Sequence, residues 1–187
     1  FERIDALHRA AWRWDELVDV YVARCEATED VMSRIGLLRR IAETYEKDAE
    51  SPAKAFDALL IAWSEDYRNE ESAKELERVA GVTQKWNELI VSANDALQQA
   101  TEPDVKIAIC LCCARWYGQE LGHPEHAVPY YQQIQRLDPA SVPATRQLAE
   151  LYRITQQWQL QAQTLHALIG MTNDSVARAD TYWKLGD

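Results

Sequence analysis

The chain has 187 residues, enough for one or two ordinary domains, with 47% hydrophobic and 27% charged residues and a formal net charge of −10. That charge argues against nonspecific binding to nucleic acid or anionic lipid, which depends on many Lys and Arg neutralising phosphates. Six glycines and six prolines leave too few turn residues for an all-β fold, whereas the abundant Ala, Leu, Glu, Gln and Arg lose least on entering a helix.

The first distinctive element, AWRWDELV, carries Trp14; it returns 72 residues later as TQKWNELI around Trp86 and again as TQQWQLQA around Trp158. At this offset Leu17 falls on Leu89, Ile35 on Ile107, Tyr45 on Tyr117, Pro52 on Pro124, Ala55 on Ala127, Asp66 on Asp138 and Leu76 on Leu148, with no insertion. The matched residues are small, apolar, aromatic or turn-forming, so the repeat is structural. Each unit halves unevenly, because Ile41, Leu76, Cys113, Leu148 and Leu185 recur at steps of 35 and 37. Two helices of about 14 residues with short turns fill such a step.

Along the chain, SRIGLLRRIAETYEKD carries a helical stripe of Ile35, Leu38, Ile41, Ala42 and Tyr45. It stops at AESP, where Ser51 can cap and Pro52 can occupy the first turn of AKAFDALLIAWSED. In the second unit Gly122 ends one helix, Pro124 opens the next, and Asp138-Pro139 marks the following boundary. The expectation is an all-α chain of about eleven helices. The longest apolar run, IAICLCCA, falls far short of the roughly 18 to 20 residues that span a bilayer, so no membrane insertion is expected.

LDPASVPATRQLAELYRITQQWQLQAQTLHAL resembles a tetratricopeptide repeat, with its proline-marked boundary, its pattern of Ala144, Leu148, Ala149 and Tyr152, and its aromatic Trp158. The units around Tyr45 and Tyr117 resemble it less closely, each with one extra residue before Ala55 or Ala127. The resemblance covers essentially the whole chain. It implies a right-handed superhelical solenoid of antiparallel helix pairs over residues 1–187, in which Trp14, Trp86 and Trp158 fill wedges between helices as buried rings. Both ends fall inside a repeat unit, so a fragment of a longer array is expected. Its cut ends, around Phe1, Ile4 and Leu7 and around Tyr182, Trp183 and Leu185, would expose apolar surface for end-to-end self-association.

The same resemblance implies that the first helix of each pair lines a concave face, presenting Arg39, Glu43, Lys47, Lys74, Arg78, Leu111, Arg115, Arg146, Glu150 and Arg153. Seven of these ten are basic and two acidic, in a chain that is acidic overall. An acidic or C-terminal peptide segment is the expected ligand, with arginines pairing carboxylates. The competing expectation is that these charges pair with Glu43, Glu71, Glu75 and Glu150 and hold nothing. Glu43 stands where the chaperone-binding members of the family carry asparagine, which argues against a chaperone clamp.

Other candidates are weaker. Cys110 and Cys113 fall where Leu38 and Ile41 stand and read as small core residues, while Cys112 aligns with Arg40 and is expected at the surface. Four free cysteines point to a reducing, cytoplasmic compartment. His123 and His126 flank a helix start and read as a solvated turn, and NDS at Asn173 reads as an interhelical turn. No phosphate loop, nucleophile elbow or zinc signature is present. The sequence therefore predicts a non-catalytic interaction scaffold with a protein or peptide partner and no nucleic acid, cofactor or metal, or alternatively a spacer or self-association segment of a larger protein.

Overall fold

The computed structural model describes residues 13–171, and every count or absence below refers to them. Nine α-helices and no strand occur there: α1 (Trp14–Glu26), α2 (Val31–Glu43), α3 (Pro52–Glu65), α4 (Glu70–Thr83), α5 (Trp86–Gln99), α6 (Pro103–Arg115), α7 (Pro124–Leu137), α8 (Val142–Ile154) and α9 (Trp158–Met171). The chain divides into two compact units, Phe1–Ser92 and Ala93–Asp187. In the first, α1 packs on α2, α2 on α3 and α3 on α4; in the second, α6 packs on α7, α7 on α8 and α8 on α9. The expected end surfaces and Asn173 lie outside the described residues.

Local chemistry explains the boundaries. Asp30 and Asn69 cap α2 and α4 by accepting the amides of Ser33 and Ser72 at 2.8 and 3.0 Å, each cap contributing about 1 kcal/mol. Proline begins α3, α6 and α7, where its missing N–H costs no helical bond. Ser51 occupies the N-cap position expected of it, but its side chain makes no capping bond; Pro52 alone marks that start.

The 72-residue repeat extends to individual hydrogen bonds. Helix α2 continues into a π-helical turn at Thr44–Asp48, and α6 into another at Trp116–Glu120. The Ala49 amide donates to the Thr44 carbonyl at 3.0 Å, and the Leu121 amide to the Trp116 carbonyl at 2.9 Å. These two turns sit where the sequence carries its extra residue, so the widened turn absorbs it without breaking the helix. Each turn is followed by a left-handed residue, Glu50 at φ 48° and Gly122 at φ 66°, which reverses the chain. Gln84 and Gln156, both at φ 58°, end α4 and α8 in the same way.

The core follows the predicted stripes. Ile41, Leu76, Cys113 and Leu148 are all buried, as are the repeated small residues Ala55 and Ala127. Tyr45 and Tyr117 are half-buried. In the second unit one cluster joins Ala114 of α6, Ala127 and Val128 of α7, and Leu148, Leu151 and Tyr152 of α8.

The tryptophans do not behave as expected. Trp14, Trp86 and Trp158 do open helices, but Trp14 and Trp86 are only half-buried and Trp158 is 59% exposed. A residue at the first helical position has no preceding turn of its own helix to lie on, so only a neighbouring helix can cover its ring. The Trp86 ring lies against Gly81 of α4, where a Cβ would stand at an ordinary contact distance of 3.8 Å from its Cζ2. Arg153 occupies the corresponding position before Trp158, and that ring stays in solvent. Trp63 and Trp116, at 0% exposure, are the aromatic plugs.

Candidate peptide-binding face

The first helix of each pair carries the predicted face, and the two units differ there. In the first unit Arg39 of α2 reaches across to α4 with its whole fork. Its Nε and Nη2 donate to Glu75 at 2.8 and 2.7 Å, and its Nη1 donates to Glu71 at 2.8 Å. Arg78 of α4 returns a bidentate pair to Glu46 of the π-helical turn, both bonds at 2.6 Å. Lys47 pairs with Glu43 and Lys74 with Glu70, each at 2.9 Å along its own helix.

These pairs hold their charges. Hydrogen bonds from Glu75 and then Glu71 raise the Arg39 guanidinium above its ordinary value, and the Arg78 bonds lower the Glu46 carboxyl. Charge-assisted, bidentate contacts are the stronger kind of ion pair, whereas the exposed lysine pairs contribute little. Arg39, Glu43, Lys47, Arg78 and the two carboxylates Glu46 and Glu75 surround a cleft of about 330 Å³. Lys74 lies outside its lining.

Sequence reasoning named Glu71 and Glu75 as partners and missed Glu46 and Glu70. Glu46 was legible, since it follows Arg39 by seven residues and shares its face at 3.6 residues per turn. Glu70 was legible as an i, i+4 partner of Lys74.

In the second unit the residues that form these cross-helix pairs are replaced. Leu111 stands in place of Arg39, Pro143 and Gln147 in place of Glu71 and Glu75, Gly118 in place of Glu46, and Glu150 in place of Arg78. Leu111 is 42% exposed. Arg115 is half-buried, its Nη2 4.0 Å from the Cys112 sulfur. Glu150 pairs with Arg153 of its own helix. Arg146 is exposed and makes no hydrogen bond or ion pair to a described residue.

Cys110 and Cys113 are buried core residues, as expected, and burial pushes the Cys110 thiol up to about 12 and raises Cys113 as well. Cys112 is buried too, at 7% exposure, contrary to its alignment with the exposed Arg40. A small thiol settles into the helix interface where a guanidinium must reach water. No described helix is long and apolar enough to cross a membrane.

No family model matches the chain, and no curated protein matches it. Solved structures do. The crystal structure of MamA protein aligns with 89% of this chain and 86% of its own, at 16% identity and a TM-score of 0.46. YrrB, described as a TPR protein with an unusual peptide-binding site, aligns with 90% of this chain and 81% of its own, also at 16% identity and 0.46. The packing of consecutive helices within each unit and the recurrence of every helix start at 72 residues make this chain an all-α repeat of helix pairs.

Proposed function

We propose that the chain is a non-catalytic interaction scaffold and that its peptide-binding surface is the α6–α8 face of the second unit, which takes an acidic or C-terminal peptide segment. The observation that carries this reading is the contrast between sister faces. On the first, every predicted cation meets a carboxylate of the same unit; on the second, Arg146 meets none among the described residues, Leu111 is exposed and Arg115 is half-buried. A guanidinium with no ion pair to a described residue has none of these to break before binding a ligand carboxylate, and the exposed Leu111 of α6 offers apolar contact.

The paired first face favours a second role there. Arg39 and Arg78 tie α2 and its π-helical turn to α4, which fits a structural spacer within a larger protein.

Fluorescence anisotropy with a labelled decapeptide rich in Asp and Glu and ending in a free carboxylate tests both roles. Arg115→Ala with Arg146→Ala should weaken binding at least tenfold, Arg39→Ala with Arg78→Ala should leave it unchanged, and added salt should weaken it. Equal affinity for wild type and the second-face variant would overturn the assignment of that face. Absence of binding by the wild type would leave the spacer role as the function.

A further inference from the structure

We propose that His123, Glu125 and His126, at the turn into α7, form a surface site for a divalent transition-metal ion of the zinc type. One ligand atom from each of the three side chains lies within 4.8 Å of the others, and His123 Nδ1 already stands 3.1 Å from Glu125 Oε1. Ligand atoms about 2.1 Å from a tetrahedral zinc are about 3.4 Å apart, so the His123–Glu125 edge is at coordinating length and only the His126 ring must swing inward. That ring is exposed, and swinging inward changes only its ring contacts with Tyr117 and His123.

The turn beneath the three residues is fixed. The His123 amide donates to the Tyr117 carbonyl at 2.8 Å, the His126 amide donates to the His123 carbonyl at 3.0 Å, and Pro124 sets the intervening backbone. The Tyr117 ring meets His126 edge-on, centroids 5.2 Å apart, and the two imidazoles stack at 5.4 Å. The order of ordering costs is therefore favourable, since the ion has only side-chain rotamers to organise.

A cation at a helix N-terminus runs against the helix dipole, and the repeat answers that objection. The residue equivalent to His126 is Lys54, and the residue equivalent to Tyr117 is Tyr45; the Lys54 ammonium lies 5.1 Å from the Tyr45 ring centroid. The sister turn thus already holds a positive charge over the same tyrosine. In the second unit the lysine is replaced by a histidine, while His123 and Glu125 replace Ser51 and Ala53. The fixed ammonium gives way to a set of ligands for a mobile cation.

Two imidazoles and one carboxylate select zinc, nickel or copper over calcium or magnesium. A glutamate carboxyl is ionised at neutral pH, which is its ligating form. Three protein ligands leave a coordination position open to water or to a donor from a partner.

Titration of the full chain with zinc chloride in a non-coordinating buffer at neutral pH, followed by calorimetry, tests the site. One ion per chain is expected, with at least tenfold weaker binding in His123→Asn/His126→Asn and unchanged binding in Cys25→Ser, which removes the one cysteine that is not buried. Imidazole nitrogen resonances of the wild type give a readout independent of variant folding: zinc should shift those of His123 and His126 and spare that of His166. Equal binding by the double variant, resonance shifts elsewhere, or no saturable binding by the wild type would overturn the site.

Discussion

Replacing Trp116 and Trp158 separately with alanine distinguishes the two kinds of tryptophan in this chain. A tryptophan buries roughly 150–250 Å² of surface. At about 25 cal/mol per Å², full burial of Trp116 is therefore worth about 4–6 kcal/mol, in line with the roughly 3–5 kcal/mol of large-to-small core substitutions. Trp158 is 59% exposed and retains only the remaining fraction, giving at most about 2.5 kcal/mol. Urea unfolding followed by far-UV circular dichroism avoids the confusion of removing one fluorophore among seven tryptophans. Trp116→Ala should lower the midpoint at least twice as far as Trp158→Ala. If the Trp116 variant does not fold, Trp116→Phe supplies the same comparison with a smaller void. A Trp158 variant as damaging as the Trp116 variant would refute the argument, because the periodic tryptophans would then be the plugs.

Ser72 is fully buried and its Oγ has no hydrogen-bond partner, whereas the equivalent Ala144 packs in an apolar cluster with Cys110 and Ile134. Ser72→Ala should therefore stabilise the chain by about 1 kcal/mol, read as a raised urea midpoint; a lowered midpoint would show a bond to that hydroxyl. Glu46, whose pKa is lowered by Arg78, contributes stability that is present above its unfolded pKa and is lost as pH falls through the lower folded value. Acid unfolding curves of Glu46→Gln should show a shallower loss of stability below about pH 4.5 than wild type, and parallel curves would refute the linkage.

Much of the backbone was readable because its signals are local. Proline at a first turn, asparagine or aspartate at a cap and apolar residues at helical spacing each act within a few positions, so the α2, α3 and α7 boundaries follow from nearby residues. Even the extra residue before Ala55 and Ala127 was visible as a count. What the count did not reveal was its form, because a π-helical turn and a longer loop absorb one residue equally well in sequence. Burial was less readable, since it depends on the neighbouring element. Trp86 and Trp158 share one register, yet the first ring lies half-buried against Gly81 and the second, where Arg153 takes the glycine's place, is 59% exposed. Cys112 likewise aligns with an exposed arginine and is buried, because its own size decides where it settles.

The candidate face follows the same logic at the level of charge. Listing cations by helical position yields one basic strip, but a guanidinium already gripped by two carboxylates is a structural strut, and a ligand carboxylate would have to displace them to reach it. Arg39 loses three charge-assisted bonds on such an exchange, whereas Arg146 loses none to a described residue. The repeat keeps its backbone constant and varies the side chains on it, so each difference between sister positions is a controlled substitution within one molecule. Arg39 against Leu111 and Glu75 against Gln147 remove the struts from the second face; Lys54 against His126 exchanges a fixed charge for a ligand. Each of these substitutions converts a position that satisfies the chain internally into one that offers contact outward, and all three fall in the second unit.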